Sequence, residues 1–386
     1  MRVQGMKSGY TFSGNPIRYE EETAPGIKGG SFRVMMGNPG EEIYRGKFSL
    51  PFSLNVSDLI DAELLQESSL YVSRSEWLFR HSALPEIMMA VEYDNGADWE
   101  SLPVKVLKGK LPDKLYSRMI GSNSDYFTDR FLNPKANFFF TTRTESNLIE
   151  IPETELYPLR LIVPEGKRLK AVMDGREVVT PPLSEGLYNF SVENLRRLTY
   201  ESGHRTIPSV FKIGFADAES FVTIVITRSE IVSDLIRLRY VNTFGVPEVM
   251  AFGGTLTIKP EPSGKESESY MAYNSITDGY SVGKGREDYG LTLSLDTGPV
   301  SPEQLPRLVE LLESGNVVLE IADFPESVDA IVTADNFSFP LHPEEPVNYT
   351  LTLRLKSPDK EILKYLSPDR REPWRIFSME HNDKFN

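Results

Sequence analysis

The sequence predicts a mainly β protein: tandem β-sandwich-like domains followed by a small α+β domain with one helix packed on a sheet. Three observations carry that expectation. From Val222 to Thr227 a β-branched residue stands at every position and a period of two is clear, the mark of a strand with one buried face. The 27 prolines and 27 glycines are spread along the chain as turn punctuation, without any low-complexity block. One good helical stripe occurs late: Leu305, Leu308, Val309 and Leu312 fall on a single face. A chain of 386 residues exceeds one ordinary core, since domains run to about 100–200 residues. The expected division is residues 1–146, residues 147–259, a linker at 260–269, an α+β domain at 270–366 and a tail at 367–386.

In the first of these, strands are expected at Ile17–Glu20, Ser31–Met36, Glu42–Leu50, Ile87–Tyr93, Val104–Leu107 and Phe138–Thr142. Asp94-Asn95-Gly96 marks a hairpin, because Asn-Gly supplies the positive φ of a type I′ turn. Ser57 opens a short helix through Leu64 and Leu65, and Leu111–Pro134, which shows no period, reads as a long loop. In the second, Leu159–Val163 and Leu169–Met173 lead through Asp174-Gly175 to Val178-Val179, and Ser191 caps a helix running to Tyr200. The run from Val222 to Ile258 reads as consecutive antiparallel strands broken at Gly245-Val246-Pro247 and Gly253-Gly254.

Pro260–Glu268 has no apolar residue and is the expected linker. Beyond it come a strand at Leu291–Leu295 and a helix start at Ser301-Pro302-Glu303-Gln304, with a Ser cap, Pro at the first position and Gln three residues on. Pro306 lies deeper than a helix tolerates well and is expected to delay the first turn, while Gly315 supplies the stop. Strands return at Val317–Ile321, Val328–Val332 and Tyr349–Leu355, and Ser357 caps a last helix through Leu366.

Charge and residue chemistry narrow the function. Lys plus Arg number 42 against 56 Asp plus Glu, a net charge of −14, so no global field draws phosphate backbones or acidic membranes, and neither partner is expected. With no cysteine there is neither a disulfide nor a thiolate metal site. His81, His204, His342 and His381 stand at no metal or triad spacing. Asp94–Asp98 lacks the distal Glu of a calcium loop, and Gly283-Lys284-Gly285-Arg286 lacks the order of a phosphate loop. No catalytic, cofactor-binding or metal residue is therefore assigned, and no enzyme is expected. Met1–Ser8 leads into polar and aromatic residues rather than the apolar run of a secretion signal, which fits synthesis in the cytoplasm.

Several stretches together resemble tail and virion structural proteins encoded by tailed phages and prophages of gut Bacteroidetes. Phe12-Ser13-Gly14-Asn15-Pro16-Ile17 is similar to their opening strand and Ile43-Tyr44-Arg45-Gly46-Lys47 to the next. Leu238–Gly245 and then Val249–Phe252 resemble their central run, with Tyr240 and Thr243 standing where that pattern has Trp and Arg. Thr292-Leu293-Ser294, the Glu303–Ser314 helix and Val317-Val318-Leu319 resemble their C-terminal module. The resemblance implies a virion protein of the tail, baseplate or tail hub, packed as a homo-oligomeric ring beside other tail proteins and without a cofactor. A surface adhesin or fibre module that binds glycans through aromatic-lined loops is the alternative.

The tail carries its own expectation. Trp374, Ile376 and Phe377 place three large apolar side chains within four positions of a charged extension, and burying each gains about 1.5–3 kcal/mol. Deleting Pro373–Asn386 should leave the melting temperature unchanged and abolish assembly if the segment seats on a neighbouring subunit. A clear loss of the monomer's own stability would mean that it packs on its own domain instead.

Overall fold

The computed structural model describes residues 2–4, 9–22, 25–37, 40–64, 76–121, 125–201, 208–228, 236–262, 269–284, 289–321, 327–334, 338 and 347–356. The expected helix at 357–366 and the tail at 367–386 lie outside them. The chain is mainly β and forms two compact units, Met1–Glu230 with Val241–Val249, and Ile231–Tyr240 with Met250–Asn386.

The first unit contains two sandwich-like pairs of sheets. In one, a six-stranded sheet built around Gly29–Met36 and Glu86–Tyr93 covers a three-stranded sheet of Arg2–Gln4, Arg18–Glu21 and Phe52–Asn55. Phe32, Val34, Met89 and Val91 meet Tyr19 and Ile17 in its core. In the other, a five-stranded sheet faces a three-stranded one, and Ile149, Ile151, Phe211, Ile213, Val222 and Ile224 pack on Leu161, Val163 and Phe190. All five residues of Leu159–Val163 are buried, because that strand is covered on both faces. Leu161 and Val163 point into the sandwich, while Ile162 joins a third core of Phe12, Phe127, Phe131, Phe140 and Phe244.

Pairing departs from the expected order in the central run. Val222–Thr227 has the predicted alternation, with Val222, Ile224 and Ile226 buried. It pairs with Leu148–Pro152 in parallel and with Val210–Phe215 antiparallel, in the first unit's five-stranded sheet. Ile236–Val241 instead lies between Pro247–Phe252 and Val317–Ile321, and Leu256–Pro262 pairs with Tyr289–Val300 at the far edge of that seven-stranded sheet. The 222–258 stretch is thus not one consecutive meander. Side-chain alternation specifies a strand and its faces, whereas the choice of neighbour depends on contacts distant in sequence.

The boundary expected at 146/147 is likewise crossed. Leu78–Ser82 pairs with Gly186–Phe190, and Phe139 forms a bridge to Leu161. At the expected linker, Pro260, Glu261 and Pro262 complete an edge strand and Ser269 opens a hairpin, while 263–268 lie outside the described residues. Proline fits there because an edge strand leaves alternate N–H groups unpaired. Leu111–Pro134 is not a loop: it holds helix Asp113–Gly121 and the π-helical turn Phe127–Phe131, whose Phe127, Arg130 and Phe131 are buried.

The second unit is built on a seven-stranded sheet with helix Leu305–Glu313 laid on it through Leu308 and Leu311, and it also holds the separate two-stranded sheet of Ser269–Asn274 and Gly279–Lys284. Pro306 delays the helix as expected. Residues 302–304 form a turn, with the Gln304 side chain accepting the Ser301 N–H at 3.0 Å. The buried stripe becomes Arg307, Leu308 and Leu311, leaving Val309 and Leu312 at its flank.

A fragment starting at residue 270 would lack Ile236–Val241, Pro247–Phe252 and Leu256–Pro262 from this sheet. Residues 270–386 expressed alone should therefore show no cooperative thermal transition by circular dichroism, whereas residues 231–386, which keep all these strands, should show one. A cooperative melt of the shorter fragment would contradict the assignment.

Candidate functional site

His81 is half-buried on Leu78–Ser82, and His204, His342 and His381 lie outside the described residues. Asp94-Asn95-Gly96 forms a hairpin turn as expected but not of type I′: Gly96 alone takes a positive φ, +80°, and its N–H donates to the Tyr93 carbonyl at 3.0 Å, so that Asp94 and Asn95 stand at the centre of the turn without positive φ. The Asp94 carboxylate accepts the Lys28 N–H at 3.1 Å, which ties down the approach to the next strand. Gly283 and Lys284 end a strand, and Gly285 and Arg286 lie outside the described residues. Among the described residues no group of three or more His, Asp or Glu side chains could hold a metal ion, and no helix is long and apolar enough to cross a membrane.

Three arrangements that motif reading missed stand out. The first is a buried tie in the first unit. Asn137–Arg143 carries three consecutive buried phenylalanines but only one bridge, so its backbone polar groups need side-chain partners. Arg130 supplies two of them, donating to the carbonyls of Asn137 at 3.3 Å and Thr141 at 3.0 Å while its guanidinium lies over Phe131 and Phe244. Asn242 donates to the Phe140 carbonyl at 3.1 Å. Glu248 accepts from the Thr141 hydroxyl at 2.8 Å, the Thr142 N–H at 3.1 Å and Asn242 at 2.9 Å. Arg143 pairs with Glu155 at 2.7 Å and approaches Glu248 at 3.7 Å, all three side chains being buried. Its remaining nitrogen donates to the Val249 carbonyl at 2.9 Å.

The turn that presents Asn242 is equally constrained. The Asn242 side-chain oxygen accepts the N–H groups of Phe244 and Val246, each at 3.0 Å. Gly245 takes φ +72°, and a Cβ there would stand 2.0 Å from the Lys108 carbonyl oxygen. Only glycine fits such a close approach.

The second arrangement is the trio Tyr10, Lys105 and Glu185. Lys105 donates to both Glu185 oxygens at 2.6 Å and Tyr10 to one of them at 2.6 Å. Burial, and then Glu185, pushes the Tyr10 phenol well above its ordinary value. Burial also works against the charge on Glu185, yet the hydrogen bonds from Lys105 and Tyr10 outweigh it and hold that carboxyl below its ordinary value. Around neutral pH the phenol keeps its proton and the carboxylate its charge, so this pair is not poised for proton transfer. Beside it lies a cavity of about 380 Å³ reaching Lys105 and Glu185. A second cavity of about 320 Å³ is bordered mainly by apolar side chains such as Val106, Leu187 and Phe244. Its cations are engaged within the protein, Arg160 with Asn189 at 3.1 Å and Lys108 with the carbonyls of Asp61 and Leu64.

The third is a surface feature of the second unit. Ser269–Asn274 and Gly279–Lys284 pair with each other as a two-stranded sheet of their own. Tyr273 and Tyr280 stand opposite one another with ring centroids 5.4 Å apart, and Ile276 lies in the turn. Ile276 is 92%, Tyr280 72% and Tyr273 56% exposed, which makes them three of the four most exposed large apolar or aromatic side chains among the described residues. The signal available in sequence was the Asp278-Gly279 turn between two tyrosine-bearing runs.

No protein-family model matches the chain, and no curated protein matches it.

Removing one partner from a buried ion pair costs about 3–5 kcal/mol, because the other charge stays buried. Arg143→Met, which removes the guanidinium from between the buried carboxylates of Glu155 and Glu248, should lower unfolding stability by that order in urea titrations. Lys167→Met breaks a surface pair with Asp217, both side chains being about half exposed, and should cost no more than about 1 kcal/mol. Similar losses in the two variants would show that the buried tie carries no special weight.

Proposed function

We propose that the chain is a structural component of a phage virion, of the tail, baseplate or tail-hub region, working by symmetric packing of its own copies. The observation that carries this reading is where the family-like residues fall. Asn15 donates to the Leu111 carbonyl at 3.0 Å and accepts the Leu111 N–H at 2.7 Å. Asn242 and Gly245 build the turn described above, and Leu293, Val317 and Leu319 sit in the core of the seven-stranded sheet. The resemblance thus runs through residues that the scaffold itself demands. A likeness of that kind supports a shared architecture, and for this family the architecture is the function. The glycan-binding alternative is favoured by one observation, the exposed Tyr273–Tyr280 ring pair, since aromatic faces stack on sugars.

Immunogold electron microscopy and mass spectrometry of gradient-purified particles from the source culture test the reading. Label at one end of the tail, with peptides of this chain co-sedimenting with particles, is expected. Finding the chain only in particle-free or cell-surface fractions would overturn it.

A further inference from the structure

We infer that the apolar cavity of the first unit is a binding site for one uncharged, mainly apolar small molecule that enters beside Ala83. This goes beyond the assembly reading and does not depend on it. The cavity measures about 320 Å³, and proteins hold small ligands in cavities of about 300–1,000 Å³. Its lining passes from the buried side chains of Val106, Leu187, Phe244 and Val246 to half-buried Leu64 and exposed Ala83, so it has an apolar interior and a rim that meets solvent. The lining is also held open. The Asn242 side chain fixes the turn that carries Phe244 and Val246, and the Thr243 carbonyl accepts the Lys110 N–H at 2.7 Å. Phe244 packs against Phe12 and Phe131, with ring centroids 5.9 Å and 5.3 Å away. Gly245 lies too close to the Lys108 carbonyl for any Cβ, which leaves that side of the cavity no freedom to collapse inward.

The polar groups at the border set the class of ligand. Lys108 donates to the carbonyls of Asp61 and Leu64 at 2.9 Å and 2.8 Å and stands 3.6 Å from the Asp61 carboxylate. Arg160 donates to Asn189 at 3.1 Å. An anionic ligand would have to draw these cations away from partners they already hold. Water fits no better: the volume corresponds to about ten molecules at about 30 Å³ each, and each needs about two to four polar partners. An uncharged apolar molecule leaves water favourably, asks for no hydrogen bond from the lining and meets walls that are already formed, so little ordering opposes it.

Phenylnaphthylamine, an uncharged probe that fluoresces in apolar surroundings, is titrated into the full chain beside anilinonaphthalenesulfonate, which has the same aromatic body and a sulfonate. The uncharged probe should bind one site per chain with micromolar affinity and raise the melting temperature, and the sulfonated one should bind about tenfold or more weaker. Ala83→Trp fills the rim from an exposed position and should weaken the uncharged probe by about tenfold or more with an unchanged circular dichroism spectrum. Leu64→Trp repeats that test from a different element of the rim. The variant Tyr273→Ser, Ile276→Ser, Tyr280→Ser, which removes the exposed aromatic cluster of the second unit, should bind the probe like the wild type. Absence of binding overturns the inference, as does binding that both rim variants leave unchanged. Tighter binding of the sulfonated probe, or binding lost with the two tyrosines and Ile276, overturns it as well. None of these outcomes bears on whether particles contain the chain, so the two readings fail separately.

Discussion

The first unit depends on taking one nearly ladder-free segment, Asn137–Arg143, through its interior, where side chains partner six of its backbone polar groups. Phe138 and Phe139 belong to the core with the five-stranded sheet or beside it, and Phe140 to the phenylalanine core on the other side of Leu159–Val163. Three adjacent aromatic residues can all be buried only because the chain runs between two cores. A segment placed there has no room for two strand neighbours, so its peptide groups must be met by side chains. An unmet buried group costs about 1–3 kcal/mol, and several in one segment would exceed much of a domain's net stability. Arg130, Asn137, Asn242 and Glu248 remove that penalty.

This explains why charged side chains are buried along this segment. The guanidinium of Arg130 reaches two carbonyls at once through two nitrogens of one planar group. Glu248 accepts three hydrogen bonds at one oxygen, and Arg143, flanked by Glu155 and Glu248, balances the charge that this carboxylate brings. Such a network adds little net stability over apolar packing but penalises every alternative path of the chain. It therefore specifies the route more than it strengthens it.

Local elements were legible in the sequence because their causes are local. Val222–Thr227 alternates within its own six residues, and helix Val192–Glu201 starts where Ser191 accepts the Asn194 N–H. The mainly β class followed from many such signals. What was hidden has non-local causes. Phe138–Thr142 has strand composition, yet its burial between two cores leaves it a single bridge. Tyr116, Met119, Phe127 and Phe131 make short apolar faces that are legible only once the phenylalanine core they meet is known. Pro260 and Pro262 looked like linker residues because composition does not reveal which side of a strand is an edge. The buried tie joins residues 130, 143, 155 and 248, which no spacing motif relates.

The sheets also differ in how they treat their edges. Unpaired strand edges invite another chain, and proteins blunt them with proline, charge and irregular register. Leu256–Pro262 carries two prolines at one edge of the seven-stranded sheet, and Leu148–Pro152 ends in one. Glu41–Ser49, at an edge of the six-stranded sheet, holds Glu41, Glu42, Arg45 and Lys47 and pairs through a register shift at Val34/Met35. The hairpin Ser269–Lys284 has fewer of these devices: two charged residues, no proline and no break in register. The larger sheets are thus guarded against uncontrolled pairing by proline and irregular register, which the hairpin carrying Tyr273, Ile276 and Tyr280 lacks.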